Sequence, residues 1–473
     1  MDVAEVYAKF AHELSYEKLP TEVIDVTKKL LLDELGVMVV GSDSASVQQL
    51  LKPLREWGGK AEAGVLAHGL RLPAHHAALV NGTMGRAFDF DALHEASIVH
   101  ASAGSVPQCI AISELRGAVS GKEFLTAMAL GMEMMIRLGL SFHDSFLHTG
   151  RVTSVHHTTF GGALAGAKLL KLSPRAIVSA LGLAYTQIGG NLQNVVEGTA
   201  LAQVQQGIAA QTAVLSAVLA ASGLEGPERV FQGEFGYFKA YHDGKYAADI
   251  LTLDLGDEFQ VCDISVKYYP SCFCTHYAND AIIKLRDTEH FGAADIESIN
   301  VRVTQGIYNL VCAPSDAKRE PVTTQAALFS LPYTVANAAV HGRVDLEHLT
   351  VSSIAEPAVR AMAQKVTTVV DQELERQRGN ALGSSVVEVK LKNGRQVEQR
   401  CDMVKGHPSN PMSFDDCEEK FWNCIRFSGK PFDRSKLEEL VETIRHLEKA
   451  EDVSSLRTSF ELDKPGESPP IAA

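Results

Sequence analysis

The stretch VVEVKLKNGRQVE, at Val386–Glu398, decides the fold class of this chain. Apolar and polar residues alternate over Val386–Leu391, as they do in a strand with one buried face. Asn393-Gly394 is the signal of a type I′ turn between two strands, and Gln396–Glu398 follows it directly. The stretch therefore predicts a β-hairpin.

An earlier stretch, Ser298–Val303 (SINVRV), alternates in the same way and predicts another half-buried strand. Around and between these strands, apolar residues at three- and four-residue spacing predict helices at Asp280–Arg286, Thr324–His341 and Pro357–Lys365. Strands mixed with helices predict an α+β domain over residues 255–400.

Both ends of the chain have helical patterns instead. The predicted helices are Asp2–Leu14, Thr21–Val37, Ala74–Arg86, Gly121–Leu138, Phe160–Leu170, Pro174–Ala184, Ala209–Ser222, Ser413–Cys424 and Arg434–Ala450. Those between residues 160 and 222 are rich in Ala and Gly, which favours a closely packed interior or subunit-facing layer. The sequence thus predicts a mostly α protein with an α+β lid. The helical domain would be built from residues 1–254 and 401–473, with Asp463–Ala473 frayed at the end.

The composition is that of a globular protein: of 473 residues, 45% are hydrophobic and the formal net charge is −14. This acidic balance argues against nucleic acid or an anionic membrane as the main partner. The first residues lack the pattern of a signal peptide, and no apolar run reaches the length of a bilayer span; the closest is Ala213–Ala221. Eight scattered cysteines are expected to be reduced thiols, so we expect a cytoplasmic protein.

One island of titratable residues follows a predicted helix. The stretch Ala87–Glu95 (AFDFDALHE), with His100 shortly after it, places three carboxylates and two imidazoles among apolar residues. Such groups are costly to bury unless they are paired, and they are often part of a functional site. A helix cap made by Asp89 or Asp91 explains the same residues, so both interpretations stay open.

A second island, Val266–His276 (VKYYPSCFCTH), opens the α+β domain. Lys267 lies beside two tyrosines, where burial could lower its pKa, although a surface lysine is the simpler expectation. Cys272, Cys274 and His276 could be metal ligands. Because no second Cys/His pair lies nearby at metal-site spacing, we expect buried thiols and no zinc.

A third island, Arg151–Thr159 (RVTSVHHTT), precedes the small-residue helix predicted from Phe160. Backbone N–H groups at that helix N-terminus could hold an anion, or Thr158 or Thr159 could simply cap it. Adjacent histidines point in different directions on most backbones, so at most one of His156 and His157 is expected to face a ligand. The chain contains none of the common nucleophile, phosphate-loop or zinc-protease motifs. Its acids, histidines and one lysine suit proton transfer.

A series of motifs resembles the MmgE/PrpD family in nearly full length and in order. The motifs are Ala77–Gly82 (AALVNG), Phe88–Asp91 (FDFD), His100, Gly131–Glu133 (GME), Arg137–Gly139 (RLG), Gly207–Ala210 (GIAA), Lys267–Cys272 (KYYPSC), Phe329–Tyr333 (FSLPY) and Gly406–Pro411 (GHPSNP). This family includes 2-methylcitrate dehydratase, cis-aconitate decarboxylase and iminodisuccinate epimerase. The resemblance implies a helical domain with a smaller lid, a homodimer, no cofactor, and an active site between the domains.

The resemblance also implies site residues. Asp89, His100, Lys267 and His156 match the family's active-site aspartate, histidine, lid lysine and polar-loop histidine. We expect His100 to remove a proton next to a substrate carboxylate, with Asp89 orienting its imidazole. Lys267 would neutralise the carboxylate or act as the acid. Further candidates for substrate contact are His94 (near the rim of the site), Arg151, His157, Gln187, Tyr269, Cys272 and His276.

Three departures bear on the substrate, a small anionic carboxylate. Leu93 and Ala202 stand where the decarboxylase branch of the family has Thr and Lys, and its lid tyrosine has no clear counterpart near Ala317. Losing such groups weakens binding of a tricarboxylate, which counts against cis-aconitate decarboxylase. The same positions help to hold the substrate of 2-methylcitrate dehydratase, so a smaller or differently charged acid fits better, and a dehydratase of the 2-methylcitrate type is the leading expectation. An epimerase, a non-catalytic binding protein and a metal-dependent hydrolase remain alternatives.

Overall fold

The computed structural model describes residues 1–142, 150–197, 199–378 and 383–462. Its chain divides into two compact units. The first contains Met1–Ala87, Asp91–Ile264 and the described residues from Ser413 to Leu462, and the second contains Phe88–Phe90 and Ser265–Met412. The predicted frayed end lies outside the described residues.

The first unit is helical apart from very short strands. Its α-helices are Val3–Glu13, Thr21–Gly41, Ala45–Trp57, Ala74–Arg86, Val106–Arg116, Gly121–Leu140, Thr153–Leu169, Pro174–Tyr185, Gln193–Val196, Leu201–Ala221, Tyr237–His242, Ala248–Thr252, Phe414–Ser428, Arg434–Arg445 and Ser455–Thr458. Ala63–Val65 and Leu70–Leu72 form a small antiparallel pair. Local signals set several helix starts: Ser120 and Glu123, for example, form a capping box before Gly121–Leu140.

Small residues let the central helices of this unit approach closely. A methyl group at Gly131 would lie 2.8 Å from the carbonyl oxygen of Gly161, and one at Gly207 would lie 2.2 Å from that of Leu79. Neither site has room for a side chain, so helices Gly121–Leu140 and Thr153–Leu169 pack backbone against backbone. The predicted interior layer of Ala- and Gly-rich helices is therefore present.

The prediction that no apolar segment reaches the length of a bilayer span is wrong for helix Leu201–Ala221. By length and composition it is apolar enough to cross a membrane, and among the described residues it is the one helix that is. Within the fold, 67% of its most apolar window is buried against other parts of the chain. The sequence run looked too short because Gln205, Gln206 and Gln211 interrupt it, yet one helix continues through them.

The second unit is built on a four-stranded mixed sheet with the order Val366–Val370, Ile296–Val303, Ser385–Leu391, Gln396–Cys401. The first two strands are parallel, and the other neighbours are antiparallel. Its α-helices are His276–Glu289, Gln305–Ile307, Ser315–Arg319, Thr324–Leu328, Leu331–His341, Val351–Ile354, Pro357–Ala363 and Gln372–Arg378. The unit has its own hydrophobic core between sheet and helices. The predicted fold class, mostly α with a smaller α+β part, is confirmed.

Two local predictions in this unit are wrong. The turn at Asn393-Gly394 is not type I′, because Gly394 has φ +87° while Asn393 has no positive φ. Gly394 N–H donates to Leu391 O, which makes a three-residue loop with a left-handed glycine at its end. The predicted helix Thr324–His341 is interrupted at Phe329 and Ser330.

The helix breaks there for a local reason. The Ser330 hydroxyl accepts a hydrogen bond from the backbone N–H of Tyr333 at 3.1 Å, so Ser330 is the cap of a new helix. Pro332, in the first turn of that helix, has no N–H with which to continue the preceding one.

Candidate active site

Lys267 and Asp89 form a buried ion pair in the second unit. The Lys267 ammonium lies 2.9 Å from Asp89 Oδ2 and donates to the Asp89 backbone carbonyl at 2.6 Å. The lysine side chain is only 1% exposed and the aspartate 6%. The simpler expectation, a lysine at the surface, is therefore wrong. The paired carboxylate and carbonyl are what make burial of the ammonium tolerable.

Asp89 reaches this position through an unusual backbone conformation. Its φ is +49°, in the left-handed region, which Asp enters more readily than most residues. Asp89 lies two residues after Ala87, the residue that ends helix Ala74–Arg86. The turn at Asp89 carries the chain into the second unit for three residues, after which Asp91 belongs to the first unit again.

Cys272 lies near this pair. Its thiol is buried and hydrogen-bonded with Cys274, which lowers the pKa of Cys272; the charge of Lys267 also lowers this pKa, and burial and Asp89 oppose the shift. The other cysteines whose pKa is shifted have it raised, mainly by burial. Cys272 is thus the described thiol best placed to carry negative charge.

Two other candidates of the second island have partners of their own. The Tyr269 hydroxyl donates to Asp280, and burial raises the pKa of this tyrosine. His276 is fully buried with Nε2 3.3 Å from the carbonyl oxygen of Ser271, and its ring packs 5.1 Å from that of Tyr269. These contacts explain both residues as part of the packing that holds the segment around Cys272.

His100 contacts an aspartate and an arginine of the first unit. Its Nδ1 lies 2.9 Å from Asp91 Oδ2 and 3.0 Å from Arg86 Nη1, and Arg86 also donates to the other oxygen of Asp91. Asp91 has no exposed surface, whereas the His100 side chain keeps 15%. Arg86 can only donate, so Nδ1 makes one of these two hydrogen bonds at a time. When Nδ1–H donates to Asp91, the lone pair lies on Nε2, which is the state that a general base needs.

One partner of His100 was not assigned from the sequence. In the first unit the carboxylate hydrogen-bonded to the imidazole is Asp91. The role expected for Asp89, orienting the imidazole, stays a prediction. Arg86 was not singled out from the sequence at all. Its position at the end of helix Ala74–Arg86, five residues before Asp91, is the signal that could have identified it.

Glu34 is a further group that sequence reasoning missed. It is fully buried on helix Thr21–Gly41, and its Oε2 accepts a hydrogen bond from the Ser102 hydroxyl at 3.0 Å. Burial, followed by the negative charges of Asp91 and Asp33, raises its pKa well above the ordinary value. Glu34 is therefore a neutral carboxylic acid close to Asp91.

His94 is not a rim residue. It is 3% exposed, and its Nδ1 lies 2.9 Å from the Ser97 hydroxyl and accepts from the Ser97 N–H at 3.2 Å. Burial lowers the pKa of His94 to about 4. Its neighbour Leu93 is buried as well. In this state His94 is a neutral structural residue that closes the loop leading to His100.

The third island forms part of a helix, not a loop before one. Helix Thr153–Leu169 begins seven residues earlier than predicted, and Val152 precedes it without a side-chain cap. Thr158 and Thr159 therefore lie inside the helix and cap nothing. In the first turn of the helix Val155 is buried, while Thr153 and Ser154 are half-buried.

Both histidines of this helix are buried, and the expectation that at most one of them faces a ligand stays a prediction. His156 Nδ1 lies 3.3 Å from the Tyr237 hydroxyl. His157 stacks on Phe142 at 5.9 Å, and neither of its ring nitrogens has a hydrogen-bond partner among the described residues. Burial lowers the pKa of His156 to about 3 and that of His157 well below its ordinary value, so both are neutral.

Arg151 and Gln187, also predicted to contact substrate, are engaged otherwise. The Arg151 guanidinium lies 4.9 Å from the ring centre of Tyr241 and donates to the Tyr241 carbonyl. Gln187 is exposed and donates to the Leu183 carbonyl of its own helical segment at 3.0 Å. The structure thus forms three groups: Asp89 with Lys267 and Cys272, His100 with Asp91 and Arg86, and His156 with Tyr237.

Comparison with known proteins gives full-length matches. The family model of the MmgE/PrpD N-terminal domain matches residues 5–249, and that of the MmgE/PrpD C-terminal domain matches residues 269–446. The cis-aconitate decarboxylase-like protein oryM of Aspergillus oryzae is 28% identical over 468 residues, covering 94% of both chains. The cis-aconitate decarboxylase of Aspergillus terreus is 25% identical over 94% of this chain and 93% of its own. That of Homo sapiens is 27% identical over 100% and 96%.

Proposed function

The chain belongs to the MmgE/PrpD family, as the sequence predicted, and from this premise we propose that it is a lyase acting on a small di- or tricarboxylic acid. The reaction begins with removal of a proton from the carbon next to a carboxylate, and no cofactor takes part. The single observation that carries this proposal is the geometry of His100, whose Nδ1 faces a fully buried carboxylate while its side chain remains partly exposed.

His100 is the base in this proposal. Its Nε2 takes the proton, the C–H electron pair moves into the substrate, and the Asp91 carboxylate stabilises the imidazolium that forms. The negative charge that develops on the substrate carboxylate needs a positive partner. Lys267 supplies one, and because only Phe90 separates Asp89 from Asp91, covalent geometry keeps the Cα atoms of these two acids within about 7 Å.

Dehydration completes the reaction. The new C=C bond forms as the C–O bond to the β-hydroxyl breaks, and the hydroxyl leaves as water with a proton from a second acid. Lys267 is the candidate for that acid. His156, a neutral histidine in the family's polar-loop position, would hydrogen-bond the departing hydroxyl.

Decarboxylation is the second candidate, because the relatives described above are named cis-aconitate decarboxylases. Two features of this chain weigh against it. Leu93 is buried and apolar, and Ala202 has no charge where the family's decarboxylase branch has Lys. The charged hydrogen bond missing at Ala202 would cost about 2 kcal/mol of tricarboxylate binding, and because 2-methylcitrate is a tricarboxylate too, the same loss favours a smaller or differently charged hydroxy acid as the substrate.

The test is an activity screen in D₂O. Purified protein is incubated with 2-methylcitrate, citrate and cis-aconitate, and ¹H NMR follows loss of water, loss of CO₂, change of configuration and exchange of the substrate C–H. We expect dehydration of a hydroxy acid, with its C–H exchange lowered at least 100-fold in His100→Gln. The exposed His12→Gln is the matched control and should retain wild-type exchange.

Several outcomes would contradict the proposal. Unchanged C–H exchange in His100→Gln would show that His100 is not the base. Formation of CO₂ would establish the decarboxylase alternative. Racemisation without loss of water or CO₂ would point to an epimerase. Absence of turnover with every acid tested would favour a binding protein. We also propose a homodimer, which light scattering of the purified protein would test as a doubled mass.

A further inference from the structure

We infer that Tyr237 is a positioning residue that fixes the orientation and the tautomer of His156, and that His242 holds Tyr237 in place. The effect on turnover rests on the proposed function, in which His156 takes part in the reaction, whereas the effect on the His156 tautomer does not. All three residues belong to the first unit. They come from two elements, helix Thr153–Leu169 and the short helix Tyr237–His242.

The Tyr237 hydroxyl bridges the two histidines. It lies 3.3 Å from His156 Nδ1 and 3.2 Å from His242 Nε2, and all three side chains are buried. A tyrosine hydroxyl has one proton, so it donates to one of these nitrogens and accepts from the other. A neutral imidazole has one N–H, so the direction of this short chain of hydrogen bonds decides which nitrogen of His156 is protonated.

Ring packing holds His156 and Tyr237 rigidly. The His156 ring meets the rings of Tyr237 and Tyr241 edge to face, at 5.9 and 5.1 Å with interplanar angles of 78° and 76°. The Tyr237 ring in turn lies 5.1 Å from that of Phe160 and 6.0 Å from that of Phe231. Such contacts restrict rotation of the imidazole, so the remaining freedom of His156 is the position of its proton.

A fixed tautomer has a chemical consequence. If Nδ1 donates to Tyr237, Nε2 has a lone pair and can accept a proton or a hydrogen bond. If Nδ1 accepts from Tyr237, Nε2 carries the hydrogen and can donate a hydrogen bond. Because burial lowers the pKa of His156 to about 3, the residue cannot supply both states through a charged imidazolium at neutral pH. The hydrogen bond from Tyr237 therefore selects the part that His156 plays.

Tyr237→Phe tests the inference, since it removes one oxygen and keeps the ring. In ¹⁵N NMR spectra of histidine-labelled protein, with His156 assigned through His156→Gln, the wild type should show a single neutral tautomer. In Tyr237→Phe the Nδ1 signal should move and the two tautomers should become mixed. Turnover of 2-methylcitrate or cis-aconitate should show kcat lowered about tenfold with KM nearly unchanged, as loss of one hydrogen bond predicts.

Tyr185→Phe is the matched control. Its ring lies 6.4 Å from that of Tyr237, but its hydroxyl donates to the Phe235 carbonyl, so the His156 signals and kcat should not change. His242→Gln can still hydrogen-bond to Tyr237 and should keep the wild-type tautomer, whereas His242→Leu should not. Thermal unfolding verifies that every variant is folded.

An unchanged His156 Nδ1 signal in Tyr237→Phe would overturn the inference, as would equal effects of Tyr237→Phe and Tyr185→Phe. If the wild type turns over no acid, the proposed function fails while the NMR result still decides the inference. A moved Nδ1 signal with unchanged kcat would overturn the link between the hydrogen bond and the chemistry.

Discussion

Replacing Lys267 with Met should strongly destabilise the second unit. The substitution keeps the length and apolar stem of the side chain but removes the ammonium that contacts Asp89 Oδ2 at 2.9 Å and the Asp89 carbonyl at 2.6 Å. The carboxylate, 6% exposed, would then be a buried charge without that ammonium. Removing one partner of a buried ion pair typically costs about 3–5 kcal/mol, and we expect Lys267→Met to fall in this range.

A double-mutant cycle separates the pair from the packing around it. Asp89→Asn alone should cost about 2–3 kcal/mol, because it removes a charge-assisted hydrogen bond while Asn tolerates the left-handed φ of +49°. The double variant Asp89→Asn/Lys267→Met has neither charge of the pair. Its loss of unfolding free energy should therefore be smaller than the sum of the losses in the two single variants. We expect a coupling free energy of at least about 2 kcal/mol.

The assay is urea unfolding monitored by circular dichroism, together with hydrogen exchange of strand Ile296–Val303, which reports on the second unit. Lys390→Met is the matched control in the same unit. Lys390 lies 2.6 Å from Glu297, but both side chains are nearly half exposed, so its loss should change the free energy of unfolding by less than about 0.5 kcal/mol. A cost below about 1 kcal/mol for Lys267→Met, or additive single effects, would refute the reasoning.

Asp91→Asn should lower the kcat for the substrate identified in the screen about 100-fold, because the His100 imidazolium loses its carboxylate partner. Glu34→Gln substitutes a neutral amide for an acid whose pKa is raised, and should keep kcat within about threefold. Steady-state kinetics measure both effects. Since burial lowers the pKa of His94 to about 4, its contribution to stability is complete above pH 6.5 and is lost as the pH falls toward 4. Urea unfolding at pH 7.5 and 4.5 should therefore show a loss about 3 kcal/mol smaller in His94→Gln. Arg137→Leu should cost about 3–5 kcal/mol in thermal or urea unfolding, since it leaves the buried Glu133 carboxylate, 2.6 Å from Arg137 Nε, without its cation.

Much of the fold could be predicted because its signals are local. The alternation over Ser298–Val303 and Val386–Leu391 identified two neighbouring strands of the sheet, which the structure extends by only one or two residues. The turn type was wrong because Asn393-Gly394 occurs in two-residue and three-residue loops alike. What distinguishes them is the register of the flanking strands, a long-range property that a dipeptide does not contain.

The site was predicted in its residue types but not in its pairings. Asp89 and Asp91 lie two positions apart in one motif, and nothing in the sequence tells which of them meets His100. In the structure Asp89, which has a positive φ, pairs with Lys267, and Asp91 pairs with Arg86 and His100.

Burial was the second property that the sequence could not supply. Lysines are most often solvated, so a surface position was the simpler expectation for Lys267, and the sequence did not show that His156 and His157 are both buried. Lys267 and His156 each have a specific compensation that lies far away in the sequence. For Lys267 this is the Asp89 carboxylate, and for His156 it is the hydroxyl of Tyr237.

The formal charges of the residues around Asp89 and Asp91 indicate why, in the proposed reaction, the neutral His100 is the group that takes up a proton. Lys267 balances Asp89, and Arg86 balances Asp91, while burial keeps Glu34 protonated and uncharged. With these groups balanced, a proton taken by His100 creates one new positive charge as the substrate gains one negative charge. In the proposed reaction an ionised Glu34 would add a negative charge near Asp91, and burial, which raises the pKa of Glu34, opposes that ionisation.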